Sequence, residues 1–146
     1  MLVIILKGLF FTGLAFQLYF VVVSLLRIRF YKPKTDILDI EELEIAPETY
    51  IVRELGAESI DLLELAVSLN SRFKIEVNDG EIFLTKLRLY VTEAEEKGKD
   101  LMQYLAERLP FLTNDRVEEI VADLEGGPTL KVKDLISYVG WQHENG

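Results

Sequence analysis

The residues able to do chemistry in this chain gather around one hydroxyl. Ser59 stands at the head of the clearest amphipathic run, with Glu54, Glu58, Asp61 and Glu64 about it. Taken alone, a serine at a helix start is a cap whose oxygen accepts a backbone N–H, and acids there complement the helix dipole. The remaining inventory is defined by what is missing. There is no cysteine, so thiolate nucleophiles, disulfides, zinc knuckles and iron–sulfur ligation are excluded. The one histidine, His143, lies near the C-terminus, where it reads as a solvated residue. A metal site would need carboxylates alone, and neither GxxxxGK[ST] nor GxGxxG occurs. No acid–base or nucleophilic constellation is assembled, so no catalytic residue and no metal site is assigned. Any covalent chemistry must use a reactive group brought from outside.

Charge divides the chain in two. Of its 146 residues, 1–34 carry five bases and no acid, whereas 35–146 carry 11 bases and 25 acids, leaving a net charge of -9. Between 35 and 64 there are ten acids and one base, Arg53. A surface this acidic repels phosphate backbones, which excludes nucleic acid as a partner of the main body and calls for basic partners instead.

Helices must position these groups. Residues 59–73 form the strongest, with Leu62, Leu65, Ala66, Leu69 and Phe73 on one side and Ile60, Leu63 and Val67 on the other. The helix begins after a turn at Gly56 and is followed by the turn signal Asn78-Asp79-Gly80. Residues 36–55 read as loop with a short helical piece over 37–43, and 82–91 are apolar-rich without a clear period. A helix is predicted over 92–109, ended by Pro110, and another from 113–115 to 125, stopped by Gly126-Gly127-Pro128. Val132, Leu135, Ile136 and Val139 mark a last helix with Gly140 as its stop, leaving 141–146 as a tail.

The stretch 51–65 (IVRELGAESIDLLEL) resembles the modification-site signature of the acyl carrier proteins, in which Leu-Gly-Ala or Leu-Gly-Leu precedes Asp-Ser-Leu and an acidic helix start. Phe73, Ile75 and Val77 fall where the family has its aromatic and apolar residues, Pro47-Glu48-Thr49 is similar to its leading loop, and 130–139 (LKVKDLISYV) is similar to its last helix. The resemblance covers about 36–83 and 129–140. It implies that Ser59 receives 4'-phosphopantetheine from coenzyme A and that the arm's thiol carries an acyl group as a thioester. A helix start, with unpaired N–H groups and a positive dipole end, suits the attached phosphodiester. The partners implied are a phosphopantetheinyl transferase and acyl-loading, acyltransferase or synthase enzymes with basic docking surfaces. Glu54, Glu58, Asp61 and Glu64 would meet those surfaces, and Ile60, Leu63 and Val67 would form an apolar strip beside them or pack in the core. The alternatives are a bundle that keeps the fold as an interaction module without the arm, or a carrier of an aminoacyl or polyketide group.

Three departures stand out. Glu58 replaces the family's aspartate before the serine. The family's first helix would fall on about 26–38, where Pro33 leaves it absent, shortened or displaced. An insertion of about 84–129 precedes the last helix and is expected to add two helices, one of them filling the missing helix's place.

Residues 9–26 are 18 consecutive uncharged residues with polar members scattered around the wheel. That predicts a membrane anchor over 1–30 with its basic flank in the cytoplasm; a buried helix of the domain and a signal peptide are the alternatives. Residues 31–35 are then a basic linker and 36–140 the carrier-like domain. The expected fold is all-α: an acyl-carrier-protein-like bundle with two extra helices, preceded by a single apolar helix. Its expected place is the cytoplasmic face of a membrane, with lipid-biosynthetic or acyl-transfer enzymes, or else the cytoplasm as a soluble protein.

Overall fold

A computed structural model describes the backbone of residues 2–30 and 45–145, and the side chains of 16–30 and 45–145. The elements are α1 (Leu2–Phe30), α2 (Ser59–Phe73), α3 (Asp79–Ile82), α4 (Leu87–Glu96), α5 (Leu101–Arg108), α6 (Asn114–Ala122), a 3-10 turn at Leu124–Gly126, and α7 (Val132–Asn145). Among the described residues there is no strand, only an isolated antiparallel bridge between Tyr50 and Lys131. The expected linker 31–35 and the helical piece at 37–43 lie outside the described residues.

The apolar period of α2 turns Leu65, Ala66 and Leu69 into the core, as their spacing demands. Its end is set by Lys74, which takes a left-handed conformation at φ 51° and stops the ladder. Asn78, Asp100 and Thr113 each accept an N–H from the first turn of α3, α5 and α6, supplying partners that those turns lack internally.

The helix expected as a membrane anchor is instead, over its described side chains, the first helix of the bundle. Leu18, Val22, Val23 and Leu26 are buried in the same core as Ile51, Leu69, Leu135 and Tyr138, and α1 packs against both α7 and α2. Among the described residues no helix is long and apolar enough to cross a membrane. The physical reason is that an apolar helix needs some apolar surroundings, and here the faces of α7 and α2 supply them. The same packing overturns the expectation that an inserted helix fills the first helix's place, because α1 already stands there.

The insertion also differs in form. It holds three helices rather than two, since Gly98 at φ +62° breaks the predicted 92–109 helix between α4 and α5. Gly140 does not stop the last helix, which runs to Asn145 and takes in most of the expected tail. A Cβ built there would sit 3.7 Å from Leu18 of α1, an ordinary contact distance, so the helix accommodates this position without needing glycine. Continuation of α7 lets Trp141 join Tyr138 and Phe111 in an aromatic group, with the Phe111 and Tyr138 rings edge to face at 5.1 Å.

One ion pair is wholly internal. Arg116 on α6 donates through Nε and Nη2 to the two carboxylate oxygens of Asp134 on α7, at 2.7 and 2.8 Å, and its Nη2 also reaches the Thr129 carbonyl at 2.7 Å. The Asp134 side chain is fully buried and that of Arg116 only 6% exposed.

Two measurements check this architecture. Leu26→Ala, at a residue with no solvent exposure, is expected to lower unfolding free energy by about 2–5 kcal/mol; a helix standing apart from the domain would leave urea denaturation unchanged. Asp134→Ala is expected to cost about 3–5 kcal/mol by leaving the buried guanidinium with only the Thr129 carbonyl and the half-exposed Glu119 carboxylate at 3.3 Å, with much of the loss recovered when Arg116 is made apolar as well.

Candidate functional site

Ser59 is the first residue of α2 and is exposed, as are Glu58 before it and Ile60 after it. The approach to it is fixed by a loop, 45–57, stitched onto the start of α7. Ile51 N–H donates to the Leu130 carbonyl, and Val132 and Lys133 N–H donate to the carbonyls of Thr49 and Pro47. The Thr49 hydroxyl accepts the Ala46 N–H at 2.9 Å. Glu48 accepts from Lys131 and Lys133 at 2.8 and 2.9 Å. Those two donors hold its carboxyl down at about 2 against some desolvation.

Beyond this loop the chain turns at Gly56, whose φ of +70° suits glycine, and Ala57 is buried against the core. Arg53 fastens the loop to the insertion. It donates to both carboxylate oxygens of Asp123 at 3.0 Å and to the Gly127 carbonyl at 2.9 Å, and it lies over the Tyr50 ring at 4.3 Å. The Tyr50 hydroxyl donates to Asp123 at 2.7 Å. Tyr50 first and Arg53 second keep the Asp123 carboxyl below its ordinary range.

The acids around Ser59 are not equivalent. Glu54 is exposed and accepts the Tyr50 N–H at 3.2 Å. Asp61 accepts the Glu58 N–H at 2.8 Å, closing the first turn of α2. That bond, and after it the guanidinium of Arg29, holds the Asp61 carboxyl below its ordinary range. Arg29 of α1 reaches Asp61 at 2.6 Å and Glu64 at 3.2 Å. Part of the basic flank expected beside a membrane anchor is therefore engaged on α2, and two of the four acids are already paired. Glu58 and Glu54 are the acids nearest Ser59 in sequence with no such counterion among the described residues. The apolar strip is exposed: Ile60, Leu63 and Val67 are 57%, 54% and 68% accessible. They stand on the solvent side of α2, opposite Leu65, Ala66 and Leu69.

A cavity of about 370 Å³ opens on the other flank of the helix start. Leu62, on the first turn of α2, forms one side with Val52; Phe83, Leu87 and Arg88 form the next, and Leu124 with the 127–130 segment closes it. Sequence reading gave none of the insertion residues in this wall a place at the site, because Leu124 and the 127–129 segment meet Leu62 only by a fold-back across more than sixty positions. Arg29 was read only as part of the basic flank, and Arg116 and Asp134 escaped notice. A signal existed for the last two: each is a charge on the apolar face of its helix, beside Val117 and Ile120 or Leu135 and Tyr138. Among the described residues no group of three or more His, Asp or Glu is placed to hold a metal ion.

The site can accept a phosphodiester. An exposed hydroxyl at the first residue of a 15-residue helix has the positive dipole end beside it, where Glu58 and Asp61 form a capping box, and the neighbouring cavity is lined mainly by apolar side chains.

Glu48 gives a pH test of the loop that presents the serine. Its carboxyl is lowered from an ordinary 4.5 to about 2, so its stabilisation is complete above pH 4.5 and is lost as pH falls towards 2. Glu48 is largely exposed, so the effect has the size of a surface network, about 0.2–1 kcal/mol. Glu48→Gln is expected to be less stable than the parent at pH 6 and equal to it at pH 2 in urea melts; a constant difference at both pH values would show that the carboxylate charge is not what fixes the loop.

Comparison with known proteins bears on the same segment. The family described as the phosphopantetheine attachment site matches residues 35–87. An acyl carrier protein of Campylobacter fetus subsp. fetus (strain 82-40) is 38% identical over 47 residues, covering 29% of this chain and 61% of that protein. One of Helicobacter pylori (strain J99 / ATCC 700824) is 38% identical over 44 residues, covering 30% of this chain and 56% of that protein. The chain thus spans under two thirds of the length of these relatives. No solved structure matches. The family match and these relatives support the acyl carrier protein family for the segment around Ser59, and the prosthetic group that such an attachment site implies is 4'-phosphopantetheine.

Proposed function

We propose that this protein is a specialised acyl carrier with Ser59 as its attachment residue. The observation that carries the reading is the placement of an exposed Ser59 at the first residue of α2, inside the matched attachment segment. The attached group supplies a terminal thiol on which an acyl chain is held as a thioester. The chain's own residues supply everything else. The first turn of α2 stabilises the phosphodiester charge through its N–H groups. The loop 45–57, tied to α7 and to Asp123, holds the helix start at the surface. Glu54 and Glu58 offer charge to a basic partner, and Ile60, Leu63 and Val67 offer apolar contact beside it. Asp61 and Glu64 contribute to the same face with Arg29 between them, so a partner meets a part-neutralised patch there.

The partners in this reading are a phosphopantetheinyl transferase and acyl-loading, acyltransferase or synthase enzymes, with lipid biosynthesis as the setting. The chain itself acts as carrier and not as catalyst.

The test is intact mass after incubation with coenzyme A and a broad-range phosphopantetheinyl transferase. A gain of one phosphopantetheine on the parent and none on Ser59→Ala is expected. Modification of both proteins alike would move the site elsewhere, and no gain on the parent with several transferases would leave the bundle as an interaction module.

A further inference from the structure

Arg29 stands near the end of α1 and reaches across to α2, where it is shared between two acids one helical turn apart. Its Nη2 lies 2.6 Å from Asp61 Oδ1, and its Nε lies 2.8 Å from the same oxygen and 3.2 Å from Glu64 Oε2. The two acids are not held alike. The Asp61 side chain is 15% exposed, and its second oxygen accepts the Glu58 N–H at 2.8 Å, so it is built into the first turn of α2. Glu64 is reached through the longer contact, and its side chain is 55% exposed. It lies one turn from Ile60 and one turn from Val67, both more than half exposed, so it is the acid of this pair that borders the apolar strip. An ion pair this open to water is weak and exchanges readily. The buried Arg116–Asp134 pair, in contrast, cannot be opened without leaving a charge in the core.

We infer that Arg29 is an internal competitor for the basic side chains of docking partners, occupying Glu64 in the unbound chain and releasing it when a partner's lysine or arginine settles beside the strip. The inference rests on the carrier reading above. Asp61 keeps the guanidinium attached to α2 while Glu64 changes cations, so α1 stays in place through the exchange. A partner that must replace a cation is drawn in less strongly than one that meets a bare carboxylate. Charge attraction therefore falls mainly to Glu54 and Glu58, which have no such counterion among the described residues and flank Ser59. Docking is biased towards the start of α2, where the attachment residue stands. The competing cation comes from α1 and lies outside the matched residues 35–87, so this control belongs to the N-terminal helix and not to the attachment segment.

The experiment follows initial rates of coenzyme A-dependent modification, read by intact mass, with a phosphopantetheinyl transferase whose docking surface is basic. The full chain is compared with Arg29→Gln, Glu64→Gln and the double variant at about 0.05 and 0.5 M salt, each rate being taken relative to the parent at the same salt. Arg29→Gln is expected to raise the rate about two- to fivefold at the lower salt and to lose most of that gain at the higher. Glu64→Gln is expected to slow modification in both backgrounds, and about twice as strongly where Arg29 is already Gln. An unchanged or lower rate for Arg29→Gln overturns the inference. So does a gain that persists at the higher salt, which would mark altered packing of α1, and so do equal effects of Glu64→Gln in the two backgrounds. Absence of any mass gain on the parent would instead overturn the carrier reading, and this inference with it.

Discussion

A guanidinium and a carboxylate taken out of water between α6 and α7 organise what lies around Ser59. Arg116 and Asp134 meet in a two-bond pairing with almost no solvent contact, and such a pair is tolerable only when its remaining hydrogen-bond capacity is met. Here the Thr129 carbonyl takes one more guanidinium N–H, and the Lys131 N–H reaches Asp134 at 2.9 Å. The pair therefore fixes residues 129–134 as a unit. That unit receives the loop 45–51 by backbone bonds, and the loop leads through Gly56 to the start of α2. Position at the serine is thus inherited, link by link, from a charge pair in the junction between the insertion and the last helix.

How much of this was legible in the sequence follows from the range of the interactions. The extent of α2 and its inward face were readable because a single helix's period encodes them, and Leu65, Ala66 and Leu69 are buried; that Ile60, Leu63 and Val67 are exposed was not, because they are as apolar as the inward side. The acid cluster was readable as composition, but not its division, since Arg29 lies more than thirty positions before Asp61 and Glu64. The break at Gly98 was missed because the apolar period of α4 and α5 runs almost in phase across it. Gly140 was misread as a stop because a glycine inside a helix looks, in one dimension, the same as a C-cap.

The apolar N-terminal segment carries the sharpest lesson. A run of 18 uncharged residues states only that the segment seeks apolar surroundings, and it does not say whether lipid or protein provides them. Leu18, Val22 and Leu26 show which answer applies to the described half. The same half brings Arg29 to the face beside Ser59, so this helix contributes to both the core and the electrostatics of the site.

Packing of α1 against α7 also has a consequence in time. Leu18 and Gly140 are neighbours in space but are separated by roughly 120 residues of chain. At about 5–20 residues per second, a ribosome takes roughly 6–24 s to make the second after the first. Through that interval the most apolar of the described helices lacks its principal partner, and the bundle cannot close until α7 has been made. Its early fate is therefore set by whatever holds a naked apolar helix in those seconds.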